Sequence, residues 1–501
     1  METIEQNQDM TRVGKGTPAG ELLRRYWHPI AALSELDDSV HGTKRVKLLG
    51  EQLVLFKDTL GRLGLIAEQC PHRRASFAYG MATADGIRCP YHGWEFSAQG
   101  KCLNQPFGKD NLAFREKVSI DNYPVQELGG LVFAYLGPQP QPLLPRFDGL
   151  VVEGAVRTLG RAELPCNWLQ IVETSVDPVH AEWLHGRYIE FAHEAPGVKT
   201  HISAPHEKID FKEFEYGITK HRLLAGQSEE SDDWKVGHPI VFPTTLAVGN
   251  GDVHRRSYVF QMRAPMDDEN TMHFWYHAYM PPEGAVVPTH LLQKVHIHEV
   301  PFMNADGTYR VDHIDGQDIM AWLTQGRVAD RSRENLAASD QGVALYRKIL
   351  KREIKKVQRG EDPMGVVRDA AKNQRIDQRE RQEALQGRVC GVSAAHAHAL
   401  LAGATGARAD LRARRGAAGH QPTQPGRSGQ AHPRRSAAST GQIPLRIPRL
   451  QVAARSRHFW PFYTCNFNER RKEEHDQKPA SLARSQRRFA RYCAHPDGRP
   501  R

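Results

Sequence analysis

Between residues 40 and 140, apolar and polar positions alternate in short runs such as Val46-Lys47-Leu48-Leu49 and Leu53-Val54-Leu55-Phe56, with Gly and Pro between them. A period of two in runs this short predicts half-buried strands and a small all-β domain. Leu131-Val132-Phe133-Ala134-Tyr135-Leu136, closed by Gly137-Pro138, reads as its last strand, and the Pro-rich residues 138–145 as a linker. Farther along, Ser257–Arg263 and Met272–Tyr279 alternate in the same way around Asp267-Asp268-Glu269-Asn270, a turn that predicts an antiparallel hairpin. Elsewhere the period is helical. Positions 168, 169, 171, 172 and 176 are apolar up to a break at Pro178, and Val343, Tyr346, Leu350, Ile354 and Val357 mark an amphipathic helix. No run approaches the ~18 apolar residues of a membrane span.

The pattern changes after Cys390. Residues 391–460 hold 11 Arg, no Lys and one acid, Asp410, in an Ala/Gly/His/Pro-rich text without apolar periodicity. The whole chain of 501 residues carries +10; 21 basic against 6 acidic residues give 391–501 a net +15 and leave 1–390 at −5. The basic character is therefore a property of the tail and gives no reason to expect nucleic-acid binding by the rest. The tail itself reads as unstructured, as an anion-binding extension, or as the product of a shifted reading frame in GC-rich DNA. The expectation is an α+β protein in three parts: 1–145, mainly β; 146–390, mixed; and 391–501, an irregular basic tail.

The chemistry begins in the first part. Cys70-Pro71-His72 and Cys89-Pro90-Tyr91-His92-Gly93-Trp94 form C-x-H-x16-C-x2-H, two loops that each offer one thiolate and one imidazole. Two Cys and two His are the ligand set of a Rieske [2Fe–2S] cluster, in which histidines replace two thiolates on one iron. A zinc site is the competing reading, but zinc knuckles commonly pair Cys with Cys and His with His, whereas each loop here is mixed. A Cys70–Cys89 disulfide fits poorly with seven sparse cysteines, an odd number, and with an N-terminus, Met1-Glu2-Thr3-Ile4-Glu5, that lacks the parts of a signal peptide. A reduced, cytoplasmic protein is expected.

The second constellation follows the helical stretch that Pro178 ends. His180 and His185 are five residues apart, which leaves them about 140° apart on a straight helix, so a distortion or turn is needed to bring both to one ion. Two histidines and one carboxylate on one face of Fe(II) make the facial triad of non-haem oxygenases. Asp312, Asp315 and Asp318 compete for the third place; Asp318 is favoured because it opens the apolar run Ile319, Met320, Trp322, Leu323. An ordinary helix N-terminal Asp is the plainer alternative.

Together these residues resemble the oxygenase (alpha) subunit of Rieske non-haem iron oxygenases: the C-x-H-x16-C-x2-H loops and, about 85 residues later, Asp177-x2-His180-x4-His185. The stretch Thr11–Pro29, with Gly14-Lys15-Gly16-Thr17-Pro18 and Tyr26-Trp27-His28-Pro29, is similar to the opening of the phthalate 4,5-dioxygenase and aromatic O-demethylase branch. So is the segment from Asp318 to Gly342, and the likeness runs from about residue 10 to about residue 390. The resemblance implies a helix-grip fold for the second domain, cluster ligands Cys70, His72, Cys89 and His92, and iron ligands His180, His185 and Asp318. It makes Asp177 the carboxylate linking the iron to a Rieske histidine of the neighbouring subunit in a homotrimer. One departure is Glu173, near a position where the family often carries Asn.

The resemblance further implies an aromatic acid substrate, O2, and NAD(P)H electrons delivered by a reductase, alone or with a ferredoxin. The chain has no G-x-G-x-x-G fingerprint with which to bind the nucleotide itself. O-demethylation of a lignin-derived methoxylated biaryl acid is the first reading, cis-dihydroxylation of a phthalate-like diacid the second, and a plain Rieske electron carrier the third. His254, Arg255 and Arg256, beside the predicted hairpin, are the candidates for pairing with a substrate carboxylate.

Overall fold

The computed structural model describes residues 2–107, 111–192, 204–248, 257–282 and 284–377. The tail beyond Cys390 and the candidates His254, Arg255 and Arg256 lie outside the described residues.

Three small antiparallel sheets form the first part. One pairs Thr43–Leu48, Glu51–Lys57, Leu63–Ala67 and Asn122–Tyr123; a second pairs Met81–Ala82, Ile87–Arg88, Glu95–Phe96 and Cys102–Asn104. The third sets Leu131–Tyr135 between Trp27–Ala32 and Val125–Leu128. Strand Glu51–Lys57 shows why the expected alternation is muted: Leu53, Val54, Leu55 and Phe56 are all buried. Successive side chains point to opposite faces. Leu53 and Leu55 enter the main core, whereas Val54 and Phe56 enter a separate core with Cys70, Phe77, Ile87, Cys89 and Phe96. Each side chain so buried contributes roughly 1.5–3 kcal/mol, so this strand is the seam that fastens the cluster loops to the rest of the protein.

The second part is an eight-stranded sheet in the order His206–Phe214, Gly217–Leu224, His238–Val241, Thr245–Val248, Ser257–Pro265, Thr271–Tyr279, Val156–Leu164, His296–Glu299. All pairs are antiparallel except Val156–Leu164 with His296–Glu299. The predicted hairpin is present, with Arg263 opposite His273 and Asp267 accepting from the Glu269 and Asn270 amides in its turn. The amphipathic helix is Gln341–Gln358, and Val343, Tyr346, Leu350, Ile354 and Val357 are all buried. It lies against the sheet: the Phe211 ring occupies the space that a side chain at Gly342 would need, and Tyr346 Oη donates to Pro243 O at 2.7 Å. No helix among the described residues is long and apolar enough to cross a membrane.

Candidate metal centres

The cluster residues sit at the tips of two loops with matching backbone bonds. Cys70 N donates to Ala75 O at 2.9 Å and Arg74 N to Cys70 O at 2.8 Å; Cys89 N donates to Trp94 O at 2.8 Å and Gly93 N to Cys89 O at 3.0 Å. Gly93 is required at its position, because φ is +72° and a Cβ would lie 2.9 Å from the Pro106 ring. The loops divide their ligands by depth. Cys70 and Cys89 are 1% and 2% exposed, whereas His72 and His92 face solvent with ring centroids 4.6 Å apart. Trp94 stacks on His72 at 4.4 Å and holds that ring in place.

Burial, with the Cys89 thiol beside it, pushes Cys70 up to about 11, so Cys70 needs a metal's charge to exist as a thiolate at neutral pH. His72, although it faces solvent, is held below its usual value by slight desolvation and by neighbouring His92, which keeps a lone pair available. Both observations fit a cluster with sulfur ligands inside and nitrogen ligands outside. The four described cysteines, Cys70, Cys89, Cys102 and Cys166, are free thiols, so no Cys70–Cys89 disulfide forms.

The second site begins at helix Trp168–Ser175. Asn167 caps it by accepting from Leu169 N at 3.1 Å while its amide donates to Thr11 O and Asp268 O, so the helix start is pinned to two other segments. The chain past Pro178 then forms a π-helical turn, Ala181–Arg187, with Tyr188 N bonded to Trp183 O. Bonding from i to i+5 stacks residues five apart, which solves the spacing problem of His180 and His185. Their ring centroids are 5.2 Å apart.

Asp318 completes the group: the ligand atoms of His180, His185 and Asp318 lie within 4.8 Å of one another. One expectation needs correcting. Asp318 does not open its helix, which runs Ile314–Thr324, because His313 caps it by accepting from Gly316 N at 2.8 Å. The apolar run that marked the helix begins at Ile319, after the buried residues Gly316, Gln317 and Asp318. Of the competing carboxylates, Asp312 is exposed beside Arg310, and Asp315 is raised to about 6 by burial and by neighbouring Asp318.

Hydrogen bonding fixes the donor atoms. Gln317 Nε2 donates to Val311 O at 2.9 Å, which turns Gln317 Oε1 toward His185 Nδ1, also at 2.9 Å. Nδ1 must then carry a proton, with Nε2 3.1 Å from Asp318 Oδ1. Burial lowers His185, but Asp318 and Gln317 outweigh it and raise it above its usual value, so a proton or a metal ion supplies the positive charge between them. His180 Nε2 approaches the same Oδ1 at 3.9 Å, and His180 Nδ1 faces Asp177 Oδ2 at 3.6 Å. Burial opposes the charges of Asp177 and Asp318, but His180 beside the first and His185 beside the second hold both carboxyls below their usual range. The donor set, two imidazole nitrogens and one carboxylate oxygen, suits Fe(II) with positions left open.

Glu173, the departure in sequence, takes no part in this group. Arg331 Nε and Nη2 grip it at 3.0 and 2.6 Å, and Arg347 Nε adds a third bond at 2.6 Å, all buried. Gln170 Nε2 bonds Trp322 O, and Trp322 Nε1 bonds Thr174 Oγ1 at 2.9 Å, which ties the His180 segment to the Asp318 helix. Gln317 is the functional side chain that sequence reasoning missed, since no spacing rule separates it from any polar helical residue. Among the described residues no hydrogen bond, ion pair or ring contact links the cluster loops to the triad, and Asp177 touches neither His72 nor His92 of its own chain.

A family profile described as the Rieske [2Fe-2S] domain matches residues 26–124, and one described as "LigXa C-terminal domain like" matches 296–380. The chain is 40% identical over 380 residues to the 5,5′-dehydrodivanillate O-demethylase oxygenase subunit of Sphingobium sp., covering 75% of this chain and 86% of that one. It is 29% identical over 401 residues to the phthalate 4,5-dioxygenase oxygenase subunit of Pseudomonas putida, covering 73% and 89%. Among solved structures, NdmA of Pseudomonas putida CBB5 aligns with a TM-score of 0.51 at 21% identity, over 68% of this chain and 93% of that one, a likeness of fold.

Proposed function

Because the chain belongs to the oxygenase subunits of the Rieske non-haem iron oxygenases, we propose that it O-demethylates a lignin-derived methoxylated biaryl acid resembling 5,5′-dehydrodivanillate, with release of formaldehyde. The observation that carries this reading is the 40% identity to that demethylase's oxygenase subunit across most of both chains. Phthalate-type ring dihydroxylation is the second reading, supported by the 29% identity to the phthalate 4,5-dioxygenase subunit.

In this proposal residues 1–145 carry the cluster on Cys70, His72, Cys89 and His92, residues 146–390 carry one iron on His180, His185 and Asp318, and 391–501 are an Arg/Ala-rich extension. When bound, the cluster and the iron supply one-electron transfer and activation of O2. The residues do the rest. Asp177, on the far side of His180 from Asp318, orients that imidazole and is the bridge to a cluster histidine of a neighbouring copy in a homotrimer. Exposed Tyr91 beside the cluster and exposed Trp183 in the π-helical turn are apolar surfaces such a neighbour would cover. Gln317 keeps the His185 proton on Nδ1.

The methoxy carbon gains one oxygen atom, giving a hemiacetal that breaks to a phenol and formaldehyde. The electrons come from NAD(P)H through a reductase, with or without a ferredoxin, in the cytoplasm, where free thiols persist. An electron carrier without oxygenase chemistry would have no use for the three converging ligands. Purified protein with a reductase, assayed against methoxylated and dicarboxylated aromatics, tests the proposal. Formaldehyde in step with O2 uptake is expected, and a cis-diol without formaldehyde would replace the first reading with the second.

A further inference from the structure

One face of the eight-stranded sheet carries more cations than it has ion pairs among the described residues. Residues opposite one another on paired strands share a face, so the register sets Lys220 with Phe211 and His238, and Arg263 with His273. Ile240 opposes Leu246, and Leu246 opposes Gln261, which brings Lys220, Arg222, Gln261 and Arg263 onto that one face. It is the face turned toward the iron ligands. Phe211 meets the long helix at Gly342, Arg263 Nη2 donates to Ser175 Oγ at 2.7 Å two residues before Asp177, and Lys220 lies within electrostatic reach of both Asp177 and Asp318.

The cations on this face differ in what they hold. Arg222 has Asp233 at 3.5 Å, a carboxylate that His238 Nε2 also contacts at 2.8 Å. Arg263 is 1% exposed, yet its guanidinium donates only to neutral oxygens: Ser175 Oγ, Gln261 Oε1 at 3.0 Å and Gln261 O at 3.1 Å. Its Nε has no partner among the described residues. Lys220 is half-buried, burial and Arg222 push its ammonium down to about 8, and no carboxylate pairs with it among the described residues. Asp318 and Asp177 are already engaged, the first as an iron ligand and the second on His180. Beside Arg263, His273 stacks on Trp275 at 4.0 Å and Trp322 at 5.3 Å, an aromatic wall next to the charge.

A desolvated guanidinium without a counter-ion is costly unless an anion arrives to use it, and its planar fork matches a carboxylate. We infer that Lys220 and Arg263 form the specificity site of this oxygenase, holding a carboxylate of the aromatic substrate while the ring lies toward the iron. This rests on the proposed reading of the site as an aromatic-acid oxygenase, and it adds Lys220 and Arg263 to the candidates His254, Arg255 and Arg256.

The test is calorimetric binding of biphenyl-3,3′-dicarboxylate and its neutral dicarboxamide to the full-length holoprotein without reductase, so that no turnover is needed. Lys220→Met is expected to weaken diacid binding about tenfold or more and to leave the dicarboxamide within about twofold, with Lys220→Arg restoring most of the loss. Arg263→Gln repeats the pattern, and Lys220→Met keeps the question answerable if the more buried substitution fails to fold. Equal losses for both probes, no loss for either, or wild-type protein that does not prefer the diacid would overturn the inference. Protein that binds the diacid through Lys220 but releases no formaldehyde from its methoxylated analogues would overturn the demethylation reading and leave this one standing.

Discussion

The proposed cluster would take all four ligands from two loops between residues 70 and 92, whereas the proposed iron triad combines a π-helical turn at 181–187 with a helix that begins at Ile314. The cluster loops hold their shape by bonds within each loop and pack on their own small core around Phe77, Ile87 and Phe96. The triad depends on long-range pins: Glu173 to Arg331 and Arg347, Gln170 to Trp322, and Asn167 to Thr11 and Asp268. A local site fails locally. A site assembled across a core inherits the stability of that core, so substitutions far from the iron reach it.

Removing a ligand should divide the sites most sharply. Cys89→Ala is expected to abolish the cluster's electron paramagnetic signal and all turnover while mononuclear iron stays bound. Asp318→Ala should keep the signal and lose turnover, and loss of the signal in Asp318→Ala would mean that the sites do not fold independently. Next in size is Glu173→Gln, which leaves two buried guanidinium groups short of charge and should cost about 3–5 kcal/mol in denaturant unfolding. Burial opposes the Glu173 charge, but Arg331 and Arg347 outweigh it and depress its folded pKa. Its contribution is therefore present above the unfolded value of about 4.3 and lost as pH falls through the lower folded value. That acid limb should be missing from the Gln variant's stability profile.

Gln317→Leu frees the His185 tautomer and should cost about 10–100-fold in iron affinity, read by metal titration, with the cluster spectrum unchanged. The smallest effect belongs to the local site. Gly93→Ala forces a left-handed backbone and a contact with Pro106, and should lower stability by about 1–3 kcal/mol. Its signature is cluster loss on mild heating with the iron retained. Simultaneous loss of both metals would erase the distinction between local and distributed construction.

The same distinction governs what could be read from the residues. The C-x-H-x16-C-x2-H loops carry their chemistry and spacing in one short stretch, Leu131–Tyr135 follows from a continuous apolar run closed by Gly137-Pro138, and the 257–279 hairpin follows from alternation around a polar turn. His180 and His185 were legible as a pair, but their geometry was not, because a π-helical turn has no periodic signature and only the Pro178 break hinted at distortion. Asp318 was favoured over Asp312 and Asp315 for the apolar run that follows it and then by family resemblance, and its helix start was misplaced by one turn because the cap is His313 rather than a usual capping residue. Gln317, Lys220 and Arg263 acquire meaning only through partners that register and tertiary contacts supply.

Iron and acid-labile sulfide measured together on freshly isolated protein and on His185→Ala test the account most directly. Wild-type protein should give about three irons for two sulfides, and the variant about two for two, with the cluster spectrum intact. A wild-type ratio already at one to one, or zinc in place of iron at either site, would contradict it.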